Sequence, residues 1–239
     1  MTNPLSGRSA LVTGGTRGIG FAIAARLLAD GAAVIVTGTR TDGVGPEGCE
    51  YRVADFGSRP ALESFAEEVN RLDLDILVNN AAINKIASFA EIKPDDFDRI
   101  LEINVRAAFR LCQAVVPGMR QRKWGRIVNI GSIFGKIGKE LRGSYSTSKF
   151  ALDGLTTALA AEVAADGVLA NCISPGFIDT DLTRKILGDR GIEELVARVP
   201  IGRLGEAKEI AAFVAWLVGP ENTYISGQNI AIDGGFTRV

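Results

Sequence analysis

Short apolar runs alternate along this chain with longer segments whose apolar residues recur at helical spacing. Runs such as SALVT at 9–13 and DILVN at 75–79 have the length and the β-branched content of buried strands. Strands that are separated by helices pair in parallel, because each helical crossover returns the chain to the same end of the sheet. The alternation therefore predicts an α/β fold in which a doubly wound, mostly parallel sheet has helices on both faces.

We expect seven strands, at 9–13, 33–37, 50–54, 75–79, 126–130, 168–174 and 229–232. Helices are expected at 18–30, 59–72, 94–121, 144–166, 181–198 and 206–218. Neither repeats nor linkers interrupt the series, so we expect a single domain over 1–239. We expect mobility at 39–48, which is rich in glycine, and at 177–191, which follows a Pro-Gly break and could act as a lid.

The overall charge gives no electrostatic argument for a polyanionic partner. Lys and Arg total 27 and Asp and Glu total 28, so the formal net charge is −1. A near-neutral chain lacks the basic surface that binds nucleic acids or anionic membranes. No apolar run approaches the roughly 20 residues that span a bilayer, and the first nine residues lack the pattern of a signal peptide. We therefore expect a cytoplasmic protein with no nucleic-acid or membrane partner.

Histidine is absent, and the three cysteines, Cys49, Cys112 and Cys172, are widely spaced. The lack of histidine excludes Ser-His-Asp and Cys-His catalysis and every His-ligated metal site. The cysteines form no CxxC pair, which favours small buried side chains over a disulfide framework or a zinc site. Acid–base chemistry must then use Tyr, Lys, Asp, Glu or Cys, and no metal is expected.

A glycine-rich turn, TGGTRGIG at 13–20, joins the first expected strand to the first expected helix. Glycines at Gly14, Gly18 and Gly20 let the backbone turn tightly and approach a pyrophosphate without a Cβ clash. The helix that follows offers free N–H groups and the positive end of its dipole to an anion. The turn therefore predicts a dinucleotide phosphate site in a Rossmann-type sheet.

Tyr145 and Lys149 are four residues apart on an expected helix, so their side chains lie on one face. A free tyrosine has a pKa near 10, which is too high for efficient acid–base work at neutral pH. A neighbouring ammonium group favours the phenolate, and we expect Lys149 to lower the pKa of Tyr145. Ser132 follows the fifth strand, where its hydroxyl can hold a substrate oxygen. These residues predict a proton donor for carbonyl reduction, or a base for alcohol oxidation.

The chain resembles the classical short-chain dehydrogenase/reductase family over essentially its whole length, and it is most similar there to 3-oxoacyl-acyl-carrier-protein reductases and related sugar and polyol dehydrogenases. The residues that carry the resemblance are the TGxxxGxG spacing at 13–20, NNAA at 79–82, Asn104, Ser132, Tyr145-x-x-x-Lys149, Pro175-Gly176 and Asp233-Gly234-Gly235. Ala82 departs from the family, which usually has glycine there, but a methyl group is compatible with cofactor binding.

The resemblance implies hydride transfer between a nicotinamide dinucleotide and a carbonyl or alcohol. It implies that the catalytic residues are Asn104, Ser132, Tyr145 and Lys149. Asn104 would anchor a proton-relay water, and Lys149 would also bind the nicotinamide ribose. The implied cofactor contacts are Gly14, Thr16, Arg17, Gly18, Ile19, Gly20, Thr39, Arg40, Asp55, Asn80, Ala81, Tyr145, Lys149, Pro175, Gly176, Ile178 and Thr180.

An acidic residue at the end of the second strand would bind the ribose 2′-hydroxyl of NAD, but the sequence from 36 to 40, VTGTR, has none. Arg17 and Arg40 could instead pair with a 2′-phosphate, which a guanidinium fork fits well. The sequence thus favours NADP (NADPH) over NAD, with a solvent-facing loop residue as the alternative interpretation of Arg40.

The segment before Tyr145 should approach the substrate side of the cleft. Arg142 and Lys139 could meet a carboxylate or phosphate there, or they could belong to a charged loop that faces water. The leading hypothesis is an NADPH-dependent ketone reductase, with 3-oxoacyl thioesters as one candidate substrate class. The alternatives are an NAD(P)-dependent dehydrogenase of sugars, polyols or hydroxy acids, and an inactive cofactor-binding regulator.

The helices around Asn104 and Tyr145 carry apolar residues over wide arcs, more than one monomer buries. Because related enzymes are usually tetramers built through these helices, the resemblance implies a homotetramer.

Overall fold

The main sheet has seven strands, all of which pair in parallel. The computed structural model describes residues 3–238, except for the side chains of 181, 182, 186 and 187. Its strands are β1 (Ser9–Val12), β2 (Ala33–Gly38), β3 (Glu50–Val53), β4 (Ile76–Asn79), β5 (Gly125–Ile130), β6 (Val168–Pro175) and β9 (Asn229–Ile232), in the order β3-β2-β1-β4-β5-β6-β9. Two short strands, β7 (Ile178–Asp179) and β8 (Gly205–Glu206), form a separate parallel pair. The predicted α/β fold with a parallel seven-stranded sheet in one domain is confirmed.

Seven α-helices cover the two faces of the sheet within the described part of the chain. They are α1 (Gly18–Ala29), α2 (Arg59–Asn70), α3 (Pro94–Leu101), α4 (Ala107–Arg122), α5 (Gly143–Val163), α6 (Asp181–Val196) and α7 (Ala207–Val218). Successive strand residues point to opposite faces. Ala10 and Val12 therefore pack with α1 and α7 in one core, whereas Leu11 packs with α2 and α4 in the other. Burial on both faces explains why the strands are continuous apolar runs.

The helix expected at 94–121 is interrupted by a π-helical turn, Glu102–Arg106, between α3 and α4. Such a turn adds a residue to the helical repeat and shifts the direction of the side chains around it. Asn104 lies in this turn and is 2% exposed. The apolar period is nearly the same on both sides, so the sequence pattern does not reveal the turn.

The helix expected at 181–198 is also broken. Gly188 has φ 62° and ψ 178°, which is not a helical conformation, so α6 consists of two helical pieces joined at a kink. The helix follows β7, and the pairing of β7 with β8 ties the segment after the Pro-Gly break to the start of α7. Within residues 3–238, no helix has both the length and the apolar content that a membrane crossing requires.

The order of the strands reverses at β1, which lies between β2 and β4. In an open parallel sheet, the loops at the carboxyl ends of the two strands beside this switch point diverge and leave a crevice for a ligand. The loops after β1, β4 and β5 therefore position the candidate site.

Candidate active site

The turn after β1 is tied to the end of β4 by Thr13 and Asn80. The Thr13 hydroxyl accepts hydrogen bonds from the backbone N–H groups of Asn80 and Ala81, at 2.9 and 3.0 Å. The Asn80 side-chain amide donates in return to the carbonyl oxygens of Thr13 and Gly14, at 2.9 and 3.1 Å. Because Thr13 is 2% exposed, these bonds lie out of water and hold the turn in one shape.

The glycines of this turn are required at two positions for different reasons. Gly18 begins α1 with φ +56°, in the left-handed region that glycine adopts without strain. A Cβ on Gly20 would lie 2.4 Å from the Asn80 amide nitrogen and 2.5 Å from the Gly14 oxygen. Among the described residues, no side chain caps the start of α1 and its first turn holds no acid. The turn thus fits a phosphate group, since the free N–H groups at the helix start face no competing side chain.

Thr180 brings the segment after β6 against the glycine turn. Its methyl group would lie 3.7 Å from a Cβ on Gly18, and its hydroxyl accepts from the Thr183 N–H at the start of α6. Pro175 and Gly176 lie just before it, at the end of β6, and Ile178 is in β7. Thr180 therefore lies against the glycine turn, and the other three residues lead from the end of β6 to it.

Asp55 and Arg40, which are predicted to contact the cofactor, each pair with a neighbouring group of the protein. The Asp55 carboxylate accepts from the Gly57 N–H at 2.9 Å, as in an ordinary Asx turn. The Arg40 guanidinium, which is exposed, binds the Asp42 carboxylate with two hydrogen bonds of 2.8 and 2.7 Å. These shared hydrogen bonds raise the pKa of Arg40 and lower the pKa of Asp42. Any 2′-phosphate at Arg40 must compete with Asp42.

Tyr145 and Lys149 lie in the first two turns of α5 and face the loop after β5. The Lys149 amine is 5.5 Å from the centre of the Tyr145 ring and donates to the Ile130 carbonyl oxygen at 2.7 Å. Lys149 is 3% exposed, and burial lowers its pKa to about 8. Ser132 is also buried, and its hydroxyl accepts from the Phe134 N–H at 3.2 Å. The structure thus brings the predicted serine, tyrosine and lysine together.

Burial raises the pKa of Tyr145, and a hydrogen bond with Ser132 and the positive charge of Arg142 oppose that rise. The expectation that Lys149 lowers the pKa of Tyr145 is therefore wrong for this structure. The lysine amine is directed to a backbone carbonyl, and desolvation of the phenolate outweighs the favourable interactions. Arg142, three residues before the tyrosine, is the cation that acts on it, a role the sequence pattern does not indicate.

Asn104 links the π-helical turn to two other parts of the site. Its side-chain oxygen accepts from the Ile83 N–H at 2.8 Å, and its amide donates to the Ile83 carbonyl at 2.9 Å and to the Ser148 hydroxyl at 3.0 Å. Ser148 lies between Tyr145 and Lys149 in sequence and is completely buried. Asn104 therefore fixes the loop after β4 against the helix that carries the tyrosine. Sequence reasoning missed Ser148, which has no motif of its own.

Comparison with known proteins agrees with this geometry. A family model described as enoyl-(acyl carrier protein) reductase matches residues 14–237. The 3-oxoacyl-[acyl-carrier-protein] reductase FabG of Salmonella typhimurium is 40% identical over 243 residues, which cover 98% of each chain.

Two solved structures are also similar. A gluconate 5-dehydrogenase from Burkholderia cenocepacia, in complex with NADP and tartrate, has a TM-score of 0.91 and 29% identity over 100% of this chain and 98% of its own. A mutant short-chain dehydrogenase/reductase from Serratia marcescens has a TM-score of 0.87 and 35% identity over 98% of this chain and 99% of its own. With its glycine turn, its serine–tyrosine–lysine cluster and these full-length matches, the chain belongs to the short-chain dehydrogenase/reductase family of NAD(P)-dependent oxidoreductases.

Proposed function

We propose that this protein is an NADP(H)-dependent oxidoreductase that interconverts a ketone and a secondary alcohol, with Asn104, Ser132, Tyr145 and Lys149 as its catalytic residues. One observation carries the proposal: the buried Lys149 amine lies 5.5 Å from the centre of the Tyr145 ring, and the Ser132 hydroxyl is near enough to the phenol to lower its pKa. This arrangement places a proton donor next to a hydrogen-bonding hydroxyl at the edge of the sheet where the glycine turn fits a dinucleotide.

In the reduction direction, Tyr145 donates its proton to the carbonyl oxygen while the Ser132 hydroxyl holds that oxygen. NADPH, when bound, supplies the hydride that the carbonyl carbon accepts. With a pKa of about 8, Lys149 is mostly protonated at neutral pH, and its ammonium group is held beside the Tyr145 ring by the hydrogen bond to the Ile130 carbonyl. Asn104 forms hydrogen bonds to the Ile83 backbone and to the Ser148 hydroxyl, and these bonds fix the start of α5 relative to the loop after β4.

The test of this function is turnover of a ketone panel, followed by the loss of NADPH absorbance. The panel contains 3-oxobutanoyl thioesters, simple ketones and oxo acids, and the reverse reaction is followed with the matching alcohols and NADP. We expect reduction of at least one class. Binding of the cofactor without turnover of any ketone or alcohol would contradict the proposed function and favour the inactive regulator.

We further propose that NADP(H) is preferred over NAD(H). The end of β2 lacks the acid that would bind a ribose 2′-hydroxyl, and Arg17 and Arg40 are both exposed. The gluconate 5-dehydrogenase from Burkholderia cenocepacia holds NADP. A 2′-phosphate carries more charge than the Asp42 carboxylate, so we expect it to displace that acid from the Arg40 fork.

Fluorescence titration of NADPH and NADH tests the preference with a matched pair of variants. Arg40→Ala should weaken NADPH binding about tenfold and leave NADH binding nearly unchanged. Asp42→Asn should tighten NADPH binding about two- to threefold, because the exposed competitor is lost. Tighter binding of NADH than of NADPH, unaffected by Arg40→Ala, would overturn the preference.

The substrate class has two candidates. The FabG relatives are 3-oxoacyl-[acyl-carrier-protein] reductases, which supports a carrier-bound 3-oxoacyl thioester. The gluconate 5-dehydrogenase supports a sugar acid or hydroxy acid. Competing the two classes in one assay, with NADPH limiting, ranks them by kcat/KM.

We also propose a cytoplasmic homotetramer in which each chain forms one domain over 1–239. Exposed apolar side chains on α4 and α5, such as Phe109 and Phe150, support association through these helices. Light scattering should then give four times the mass of the chain, and Phe150→Glu should reduce that mass. A monomer at micromolar concentration would contradict the tetramer.

A further inference from the structure

Arg142 carries a partly buried positive charge next to the catalytic tyrosine. It lies at the residue before α5, three positions before Tyr145. Its Nη1 atom is buried and has no hydrogen-bond partner among the described residues. Burial lowers the pKa of this arginine, and its charge acts on Tyr145. A guanidinium nitrogen removed from water in this way is normally hydrogen-bonded.

The neighbouring charges do not supply the missing partner. Glu140 is the acid whose charge acts on Arg142, but the Lys139 amine already forms an ion pair with that carboxylate. The charge of Arg198, which lies two residues after the end of α6, also acts on Glu140. Within residues 3–238, no carboxylate of a described side chain lies within ion-pair distance of Arg142. Lys139 and Glu140 neutralise each other, so Arg142 contributes one uncompensated positive charge at the tyrosine.

The backbone is held in an unusual shape at this point. Leu141 has φ 63°, in the left-handed region that residues with a Cβ rarely adopt. Its carbonyl accepts from the Ala87 N–H at 3.3 Å, which fixes it to the loop after β4. On the other side of Arg142, a Cβ on Gly143 would lie 2.9 Å from Ile92 and 3.0 Å from Phe89, so the chain packs closely there. Strained conformations that the surroundings maintain are concentrated at ligand-binding sites.

We propose that Arg142 binds a carboxylate of the substrate, beside the carbonyl that Tyr145 protonates. The inference rests on the proposed function and narrows its substrate class to compact oxo acids and their hydroxy acids. Arg142 lies three residues before Tyr145, so a carboxylate at its guanidinium and a ketone at the phenol belong to one compact substrate. The guanidinium fork matches a carboxylate with two parallel hydrogen bonds. A neutral thioester or ester at the same place leaves the charge unpaired.

Matched substrates separate recognition of the carboxylate from reduction of the ketone. The purified enzyme is assayed with NADPH and 2-oxobutanoate, 3-oxobutanoate and 4-oxopentanoate, each beside its methyl ester. The esters keep the ketone and lose the charge. We expect kcat/KM for at least one acid to exceed that of its ester about tenfold or more, because a site built for a charged partner rejects the analogue that lacks it.

Arg142→Gln is the decisive variant. It should lower kcat/KM for the preferred acid about 100-fold, mainly through KM, and the loss for its ester should be at least tenfold smaller. Arg142→Lys keeps the charge without the guanidinium fork, so its kcat/KM for the acid should lie between those of the wild type and Arg142→Gln. Arg71→Gln is the matched control: it removes an exposed cation at the end of α2, and the ratio of acid to ester should stay within about twofold. Thermal unfolding of each variant confirms that it is folded.

The outcomes distinguish the inference from the proposed function. Equal turnover of acid and ester by the wild type, or an equal loss for both in Arg142→Gln, would overturn the role of Arg142 and leave the reductase intact. A preference for esters and thioesters that survives in Arg142→Gln would also overturn it, in favour of 3-oxoacyl thioesters. Absence of turnover with these acids and esters and with the whole ketone and alcohol panel described above would refute the proposed function itself.

Discussion

The Thr13 hydroxyl offers a direct test of how the glycine turn is held, through the substitution Thr13→Val. Valine has nearly the same shape, so the main change is the loss of an oxygen that accepts from the Asn80 and Ala81 N–H groups at 2.9 and 3.0 Å. Thr13 is 2% exposed, so water does not readily replace that oxygen. A buried donor left without a partner costs about 1–3 kcal/mol.

Two such donors, if their costs added fully, would give a loss of about 2–6 kcal/mol in the free energy of unfolding. The cost of the second donor is smaller, because the Asn80 side-chain amide still donates to the turn. We therefore expect the free energy of unfolding to fall by about 2–3 kcal/mol in total. For a chain of this size, 1 kcal/mol shifts the unfolding midpoint by about 2–4 °C, which predicts a decrease of about 4–12 °C.

The assay is urea and thermal unfolding at one protein concentration, since binding and association change apparent stability. Thr223→Val, at an exposed position after α7, is the control and should change the unfolding free energy by less than about 0.5 kcal/mol. NADPH affinity should fall in Thr13→Val, because the turn loses its tie to β4. Stability within about 0.5 kcal/mol of the wild type would show that these bonds do not hold the turn.

Three further predictions concern the glycine turn and the charged groups around Tyr145. Gly20→Ala places a Cβ 2.4 Å from the Asn80 amide nitrogen, so we expect NADPH affinity to fall at least about tenfold, and unchanged binding in a titration would contradict the close approach. Arg142→Gln removes a cation that lowers the pKa of Tyr145. Alcohol oxidation, which needs the deprotonated tyrosine, should then rise only at higher pH in its kcat/KM profile, and a shift to lower pH would be the wrong sign. Lys149→Met removes a buried amine whose pKa burial lowers to about 8. It should abolish turnover yet raise the free energy of unfolding by about 1 kcal/mol, and a large decrease would refute this.

Much of the fold follows from the sequence because the strands are buried on both faces. The run ILVN in β4 is buried at consecutive positions, which a strand between two helical layers requires. The π-helical turn at Asn104 does not follow, because it changes the helical phase by one residue while the apolar residues before and after it still recur at helical spacing. The short β7–β8 pair depends on a contact between Ile178 and Gly205, which are far apart in the chain, and no local pattern encodes it.

The site divides in the same way. The glycine turn and the tyrosine–lysine spacing are local features, and the family resemblance identified their residues. The pKa of Tyr145 depends on burial and on Ser132, so the helical spacing alone predicts the wrong sign for its shift. The pairing of Arg40 with Asp42 and the unpaired Nη1 of Arg142 depend on side-chain geometry. Sequence patterns thus identify which side chains belong to the site, whereas their burial and their partners determine their pKa values and hydrogen bonds.

The most direct test of the central claim is the reduction of the preferred ketone by the wild type and by Tyr145→Phe, with NADPH binding measured on the same samples. Phenylalanine keeps the ring beside Lys149 and removes only the hydroxyl. If Tyr145 is the proton donor, kcat should fall by about 100-fold or more while the NADPH dissociation constant changes less than about threefold. Turnover at the wild-type rate with the hydroxyl gone would contradict the account.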